Sequence, residues 1–423
     1  MTTENLLSTY GIQNAPPVYY GTDALKALRE LTRGNSVLVV SDENSIRAGA
    51  LSLAHIAVCD TVIFDGAVFA DEKSVNQVRQ SLQECDLIVA VGSKTVTDIA
   101  KYAAAAEELP FISVPTSASS GTYVSEFAEL NLQKKKRAVK CRAAAAVVAD
   151  SSILLKSPAM LKAAGLAVLM ALAAESIERR AGALIYSGDF GAGQAAQAQT
   201  GELRTAAACF KEVGLNSLNS DKGMLALFGA LCAAQSHKEN TPGSAGFTDS
   251  AKLIANFFSA VTPDAQRGCE GETLGLSLHI VRSLIPALCS RIRSRISLTP
   301  SFSFKAWEQK INAVYPAAIA ADIVAAEKKS KYKSAEQRQK RIASVYAHAP
   351  AFLKQLSAFD AFDAWFSLYE REGGITAYKK LGFTVSLVKN AALFAKDMTD
   401  GFSFLQLASD LNIVAEWLKT FKV

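Results

Sequence analysis

Five short hydrophobic runs in the first third of the chain constrain its fold more than any other feature of the 423 residues. They are SVLVVSD (36–42), DTVIFDG (60–66), DLIVAVG (86–92), PFISVPT (110–116) and AAVVAD (145–150). A strand with one face in water alternates apolar and polar residues, whereas a run without alternation is covered on both faces, as in a parallel sheet flanked by helices. The stretches 72–84 and 96–108 between the runs have helical spacing. Strand and helix therefore alternate, which predicts βαβ units and one parallel sheet. Beyond Pro158 the pattern changes: LKAAGLAVLMALAAESIERRAGAL has helical spacing, and helical patterns continue to Val423. The expected organisation is an α/β domain over 1–155 and an all-α domain over 156–423. Length agrees, since single cores stop growing near ~250–300 residues.

Bulk properties exclude several classes. No apolar run reaches the ~18 uninterrupted residues of a membrane span, and MTTENLLSTYG has neither the basic start nor the apolar core of a signal sequence, so a soluble, cytoplasmic protein is expected. The seven cysteines are scattered singly with no C-x-x-C pair, which predicts reduced thiols rather than disulfides. The net charge is +5, concentrated in KKKRAVKCR (134–142) and KKSKYKSAEQRQKR (328–341). Neither run interleaves aromatics as a base-stacking surface does, so each reads as a solvated hairpin or helix face, the second as a long exposed helix or an excursion from the fold. Nucleic-acid and membrane partners are not expected. Trp307, Trp365 and Trp417 fit helix packing.

In a parallel sheet, ligands bind at the carboxyl ends of strands, and phosphate is held best where a glycine turn opens a helix. DLIVAVG-SKTVTDIAKY has that construction, with Gly92 ending the strand and Asp98 in the first turn of the helix. A second polar loop, PTSASSGTYVSEFA (115–128), follows another buried strand and is dense in hydroxyls.

These segments also carry a resemblance. Gly21 in VYYGTDAL, then VLVVSDEN, VAVGSKTVTDIAKYAA, PFISVPTSASSGTYVSEFAEL, VVADSSILLKSPAMLKAAGL and EGETLGL, occur in the order seen in the iron-containing alcohol dehydrogenase and dehydroquinate synthase superfamily. The ending DGFSFLQLASDLNIVAEWL resembles its sn-glycerol-1-phosphate dehydrogenase branch. The resemblance implies a Rossmann-like NAD(P) domain, an all-α C-terminal domain, an active site between them and a homo-oligomer. It places Asp42 at the adenosine ribose and Gly92, Ser93, Lys94 and Asp98 on the family's Gly-Gly-Gly-x-x-x-Asp pyrophosphate turn, with Ser93 and Lys94 where the last two glycines belong. A lysine there either crowds the cofactor or adds a cation to it. Thr116 and Ser119 match hydroxyls on the nicotinamide side, and Ser125 a further small polar position. Gly121 stands where the glycerol-1-phosphate branch has a substrate aspartate.

The metal positions depart further. The family holds Zn, Fe or Ni with one carboxylate and two histidines, leaving an open position that polarises a substrate oxygen. Here the corresponding residues are Val168, Lys252 and Glu270, with Asn256 at a neighbouring substrate-facing histidine. Valine donates no lone pair and a protonated lysine repels a cation, so a metal is not expected. Lys252 is expected to pair with Glu270 and place an ammonium where the metal would sit. Of the four histidines, His279 lies too far along its helix to replace Glu270, and His237 is the better stray candidate, with His55 and His348 the others. Three functions follow. The first is an NAD(P)-dependent dehydrogenase acting on a small polyol, aldehyde or triose phosphate, with Lys252 as electrophile, Glu270 holding it and Asn256 orienting substrate. The second is a pseudoenzyme that binds a nucleotide or a protein partner without turnover. The third and weakest is a sugar-phosphate cyclase, whose chemistry also needs the metal.

Overall fold

The computed structural model describes residues 6–53, 56–66, 68–132, 135–186, 192–241, 244, 247–262 and 270–421. Side chains are described over the same residues except 49–53, 135–136, 186, 192–200 and 270. The chain forms two compact units, one of residues 1–166 and 204–240 and the other of 167–203 and 241–423. The chain thus crosses from unit to unit after residues 166, 203 and 240.

The first unit is built on six parallel strands: β1 (Val18–Gly21), β2 (Val37–Asp42), β3 (Val58–Phe64), β4 (Leu87–Gly92), β5 (Phe111–Pro115) and β8 (Ala146–Asp150), in the order β1-β8-β5-β4-β2-β3. β4, β5 and β8 are buried at every residue, which is what their unbroken apolar runs require. Alternate residues Val37 and Val39, Leu87, Val89 and Val91, Ile112 and Val114, and Ala146 and Val148 share one face with Ala24, Leu25, Leu28 and Ile153. The five expected runs are all strands. The sixth, β1, is only four residues long and follows Pro16-Pro17, so no periodicity announces it. A two-stranded antiparallel hairpin, β6 (Phe127–Leu132) with β7 (Lys135–Lys140), accounts for the first basic run.

Two expectations need correction here. DTVIFDG is not doubly covered: its strand begins at Val58 and forms the sheet edge, exposed at its first four residues and again at Ile63. Nor are all thiols reduced, because Cys59 of β3 is disulfide-bonded to Cys85 in the turn before β4. The two lie 26 residues apart in the sequence and are brought together only because β3 and β4 flank β2. Cys141, Cys209, Cys232 and Cys289 are free thiols.

The described part of the second unit is helical, and its core is aromatic. Phe257 meets Tyr315 edge-on at 5.4 Å, Phe258 lies 4.6 Å from Phe383, and Phe352, Phe402 and Phe404 form a further cluster. Trp307 and Trp417 pack in helices with indole N–H groups donating to Asp397 and Ser283. Helices Ala159–Ile185 and Gly271–Ser294 are long and apolar enough to cross a membrane, yet 83% and 61% of their most apolar windows are buried inside the protein. The second basic run is neither one exposed helix nor an excursion. It breaks at Lys331 (φ 50°) between helices Ala317–Ser330 and Ala335–Ala347. It also buries two of its cations: Arg341 forks onto Asp410 at 2.6 and 3.2 Å, and Lys333 lies between Glu327 and Asp397.

Candidate functional site

The strand order locates a ligand crevice by topology alone. The chain leaves β2, crosses to β3 on one side, and returns to β4 on the other side of β2, so the order reverses between β2 and β4. Such a switch point leaves a gap at the carboxyl ends of the strands, where ligands of open α/β sheets bind. Asp42 ends β2, Gly92 ends β4, and Thr116 follows the end of neighbouring β5. Asp42 starts helix Glu43–Leu53, its Oδ1 accepting from the amides of Asn44 and Ser45 at 3.1 and 2.9 Å. Its Oδ2 accepts from Ser45 Oγ at 2.7 Å, and Ser45 Oγ lies 3.1 Å from Thr116 Oγ1. Asp42, Thr116 and Gly92 are thereby brought to one edge, through a serine the sequence reading did not single out. Its only signal is its place three residues after an N-cap acid.

Helix Lys94–Ala106 grows from the β4 turn because TVTDIAKYAAAA is rich in alanine. Gly92 cannot carry a side chain, since a Cβ would sit 2.6 Å from that of Val96. Ser93 is the N-cap residue, yet its hydroxyl makes no capping bond. A backbone turn this close to its helix, whose N-cap side chain makes no bond to the first-turn amides, has the form of an anion cradle.

Lys94 is engaged within the protein. Its ammonium turns along the helix to Asp98 Oδ2 at 3.0 Å and reaches Glu129 Oε2 of β6 at 2.9 Å. Asp98 is fully buried and accepts from Thr122 Oγ1 at 2.7 Å, so it fastens the helix to the hydroxyl loop. Beneath it lies Lys101, also fully buried, donating to the carbonyls of Thr122 and Phe127 at 2.8 and 2.9 Å and 3.6 Å from Asp98. Burial pushes the Lys101 ammonium below the usual lysine range, against the pull of Asp98. Sequence reading missed Lys101 and Glu129. The one visible signal was a lysine three residues after Asp98 on an otherwise alanine-rich face.

In the hydroxyl loop, Thr116 and Ser119 are partly exposed, and Ser117 Oγ lies 2.9 Å from Ser119 Oγ. Ser125 is buried, its hydroxyl donating to Glu239, which also accepts from Gln235 and the Glu126 amide. Gly121 and Gly165 let the loop pack closely: a Cβ on Gly121 would lie 2.3 Å from the Leu231 carbonyl oxygen, and one on Gly165 2.0 Å from that of Ala118.

In the second unit, Lys252 and Asn256 stand one turn apart on helix Ser250–Val261, both half-buried on a shared face. Asp249 caps that helix, accepting from the amides of Ala251 and Lys252. The side chain of Glu270 lies outside the described residues, and with it the expected Lys252–Glu270 pair. Val168 is half-buried on helix Ala159–Tyr186. Among the described residues, no three His, Cys, Asp or Glu side chains gather as a metal site. His237 is half-buried on helix Asp221–Glu239, His279 meets Phe366 edge-on at the surface, and His348 Nδ1 lies 2.9 Å from the Ser344 carbonyl; His55 is outside the described residues.

One further carboxylate, unsuspected in the sequence, holds the start of helix Ser250–Val261. Glu178 is buried and accepts from the amide and hydroxyl of Ser250 at 2.9 and 2.7 Å and from the Phe404 amide at 2.5 Å. Burial, reinforced by Asp249, pushes its carboxyl up to about 8 from 4.5. The folded chain then keeps a proton that the unfolded chain has lost, so stability falls as pH rises between about 4.5 and 8. The melting temperature is expected to drop across that window and the slope to flatten in Glu178→Gln; equal slopes for the two proteins contradict this assignment.

Parts of the chain are similar to known proteins. Residues 21–158 match the family model of iron-containing alcohol dehydrogenase. Glycerol-1-phosphate dehydrogenase [NAD(P)+] of Geobacillus thermodenitrificans is 31% identical over 145 residues, 32% of this chain and 36% of the relative. That of Geobacillus stearothermophilus is 35% identical over 149 residues, 33% of this chain and 37% of the relative. The matched stretch thus spans little more than a third of these relatives' length. Over nearly the whole chain the fold is that of the alcohol dehydrogenase from Oenococcus oeni, with a TM-score of 0.59 at 15% identity, covering 96% of this chain and 99% of that one.

Proposed function

We infer that this chain, whose segment 21–158 carries the iron-containing alcohol dehydrogenase pattern, is an NAD(P)-dependent oxidoreductase of small polyols, aldehydes or triose phosphates. The observation that carries the reading is the uncapped helix after Gly92 at the β2/β4 switch point, with Asp42 across the gap. When bound, the nicotinamide would supply the hydride acceptor or donor. The amides after Gly92 would hold the pyrophosphate, with Ser93 and Asp98 shaping the turn, and Asp42 the adenosine ribose. An acid at the ribose favours NAD over NADP, since a 2′-phosphate would meet its charge. Thr116 and Ser119 would face the nicotinamide, and Ser125 would brace their loop through Glu239. The substrate comes from a cytoplasmic pool in this reading.

The residues aligned with the family's metal positions do not fit a resident ion, because Val168 and Lys252 offer it no donor. In the proposed chemistry the Lys252 ammonium would stabilise the alkoxide charge that develops on an aldehyde or ketone oxygen as its carbon receives hydride and would then give that oxygen its proton, while Glu270 steadies the ammonium and Asn256 orients the substrate. Lys252→Met is expected to lower kcat by about a hundredfold or more while leaving NADH affinity and melting temperature nearly unchanged. Steady-state kinetics on a polyol and aldehyde panel test this; an unaffected rate rejects the role. Tight nucleotide binding with no turnover on any substrate would instead identify a nucleotide-binding pseudoenzyme.

A further inference from the structure

Lys94 occupies the first residue of the helix proposed to receive the cofactor's pyrophosphate, yet its ammonium is engaged by two carboxylates. The two are not equivalent. Asp98 is fully buried and is fixed from other sides by Thr122 and Lys101. Glu129 is about a quarter exposed and stands on the two-stranded β6–β7 hairpin, outside the main sheet. Water is therefore at hand to receive Glu129 if it lets go, but not Asp98. A cation at a helix N-terminus is also opposed by the helix dipole, so Lys94 requires an anion nearby. Glu129 provides one here, and a pyrophosphate on the first-turn amides would bring two further negative charges to the same end of the helix.

We propose that Lys94 is a latch shared between a protein carboxylate and the nucleotide: bound pyrophosphate draws its ammonium from Glu129, while the β6–β7 hairpin stays fastened to the helix through Lys101 and the Phe127 carbonyl. This rests on the nucleotide-binding reading above. The outcome is a cofactor affinity set by competition between a phosphate and a carboxylate of the protein itself, which a glycine at this position could not produce.

A double-mutant cycle of Lys94→Ala and Glu129→Gln, read by NADH fluorescence titration of the full chain, tests the competition. Glu129→Gln is expected to tighten NADH binding about fivefold while Lys94 is present, and by less than about twofold in the Lys94→Ala background. Equal effects in the two backgrounds overturn the latch while leaving nucleotide binding in place. Absence of NADH binding in the unmodified chain overturns both.

Discussion

Replacing Gly121 by aspartate is expected to destabilise the first unit by about 3 kcal/mol or more, rather than to restore a substrate carboxylate. The resemblance to the glycerol-1-phosphate branch makes this substitution the natural repair, because an aspartate belongs at that position. The geometry opposes it. A Cβ on Gly121 would lie 2.3 Å from the Leu231 carbonyl oxygen and 2.7 Å from Gln235 Cβ, and neither backbone nor helix can yield that distance cheaply. The same loop also packs tightly on Gly165, where a Cβ would lie 2.0 Å from the Ala118 carbonyl oxygen. Thermal melting measures the effect; a variant that melts with the unmodified protein would show that the loop can move away from helix Asp221–Glu239.

The second large effect is expected at Lys101. Lys101→Met removes a buried ammonium on which the carbonyls of Thr122 and Phe127 depend, and leaves fully buried Asp98 with Lys94 and Thr122 alone. Removing one member of a buried, hydrogen-bonded charge pair costs about 3–5 kcal/mol, because the groups left behind were desolvated for it. Denaturant unfolding is expected to show a loss of that order. A change below about 1 kcal/mol would mean that water enters to replace the ammonium.

How far the sequence was legible follows from what kind of signal each feature leaves. Strands β2, β4, β5 and β8 were readable because burial on both faces forces unbroken apolar runs. β3 was misjudged for the same reason: DTVIFDG is apolar enough to look doubly covered, and nothing local tells an edge from an interior strand. The Cys59–Cys85 bond was invisible because its partners meet through strand order, not sequence spacing. Asp42, Gly92 and Thr116 could be placed since strand ends are local features. Lys94 could be named but not interpreted: its partner Glu129 is 35 residues away (129 − 94) on a hairpin whose packing no periodicity encodes. Arg341 and Lys333 show the limit most plainly, for a run of like charges reads as solvated until Asp410, Glu327 and Asp397 are found buried against it.

In the function proposed above, the crevice between β2 and β4 binds a nicotinamide dinucleotide. Titrating the purified full chain with NADH, NADPH, NAD and NADP, by fluorescence for the reduced forms and calorimetry for the oxidised, tests it most directly. Saturable binding of one dinucleotide per chain is expected, with NADH held more tightly than NADPH because of the Asp42 carboxylate. Failure of all four to bind would contradict it.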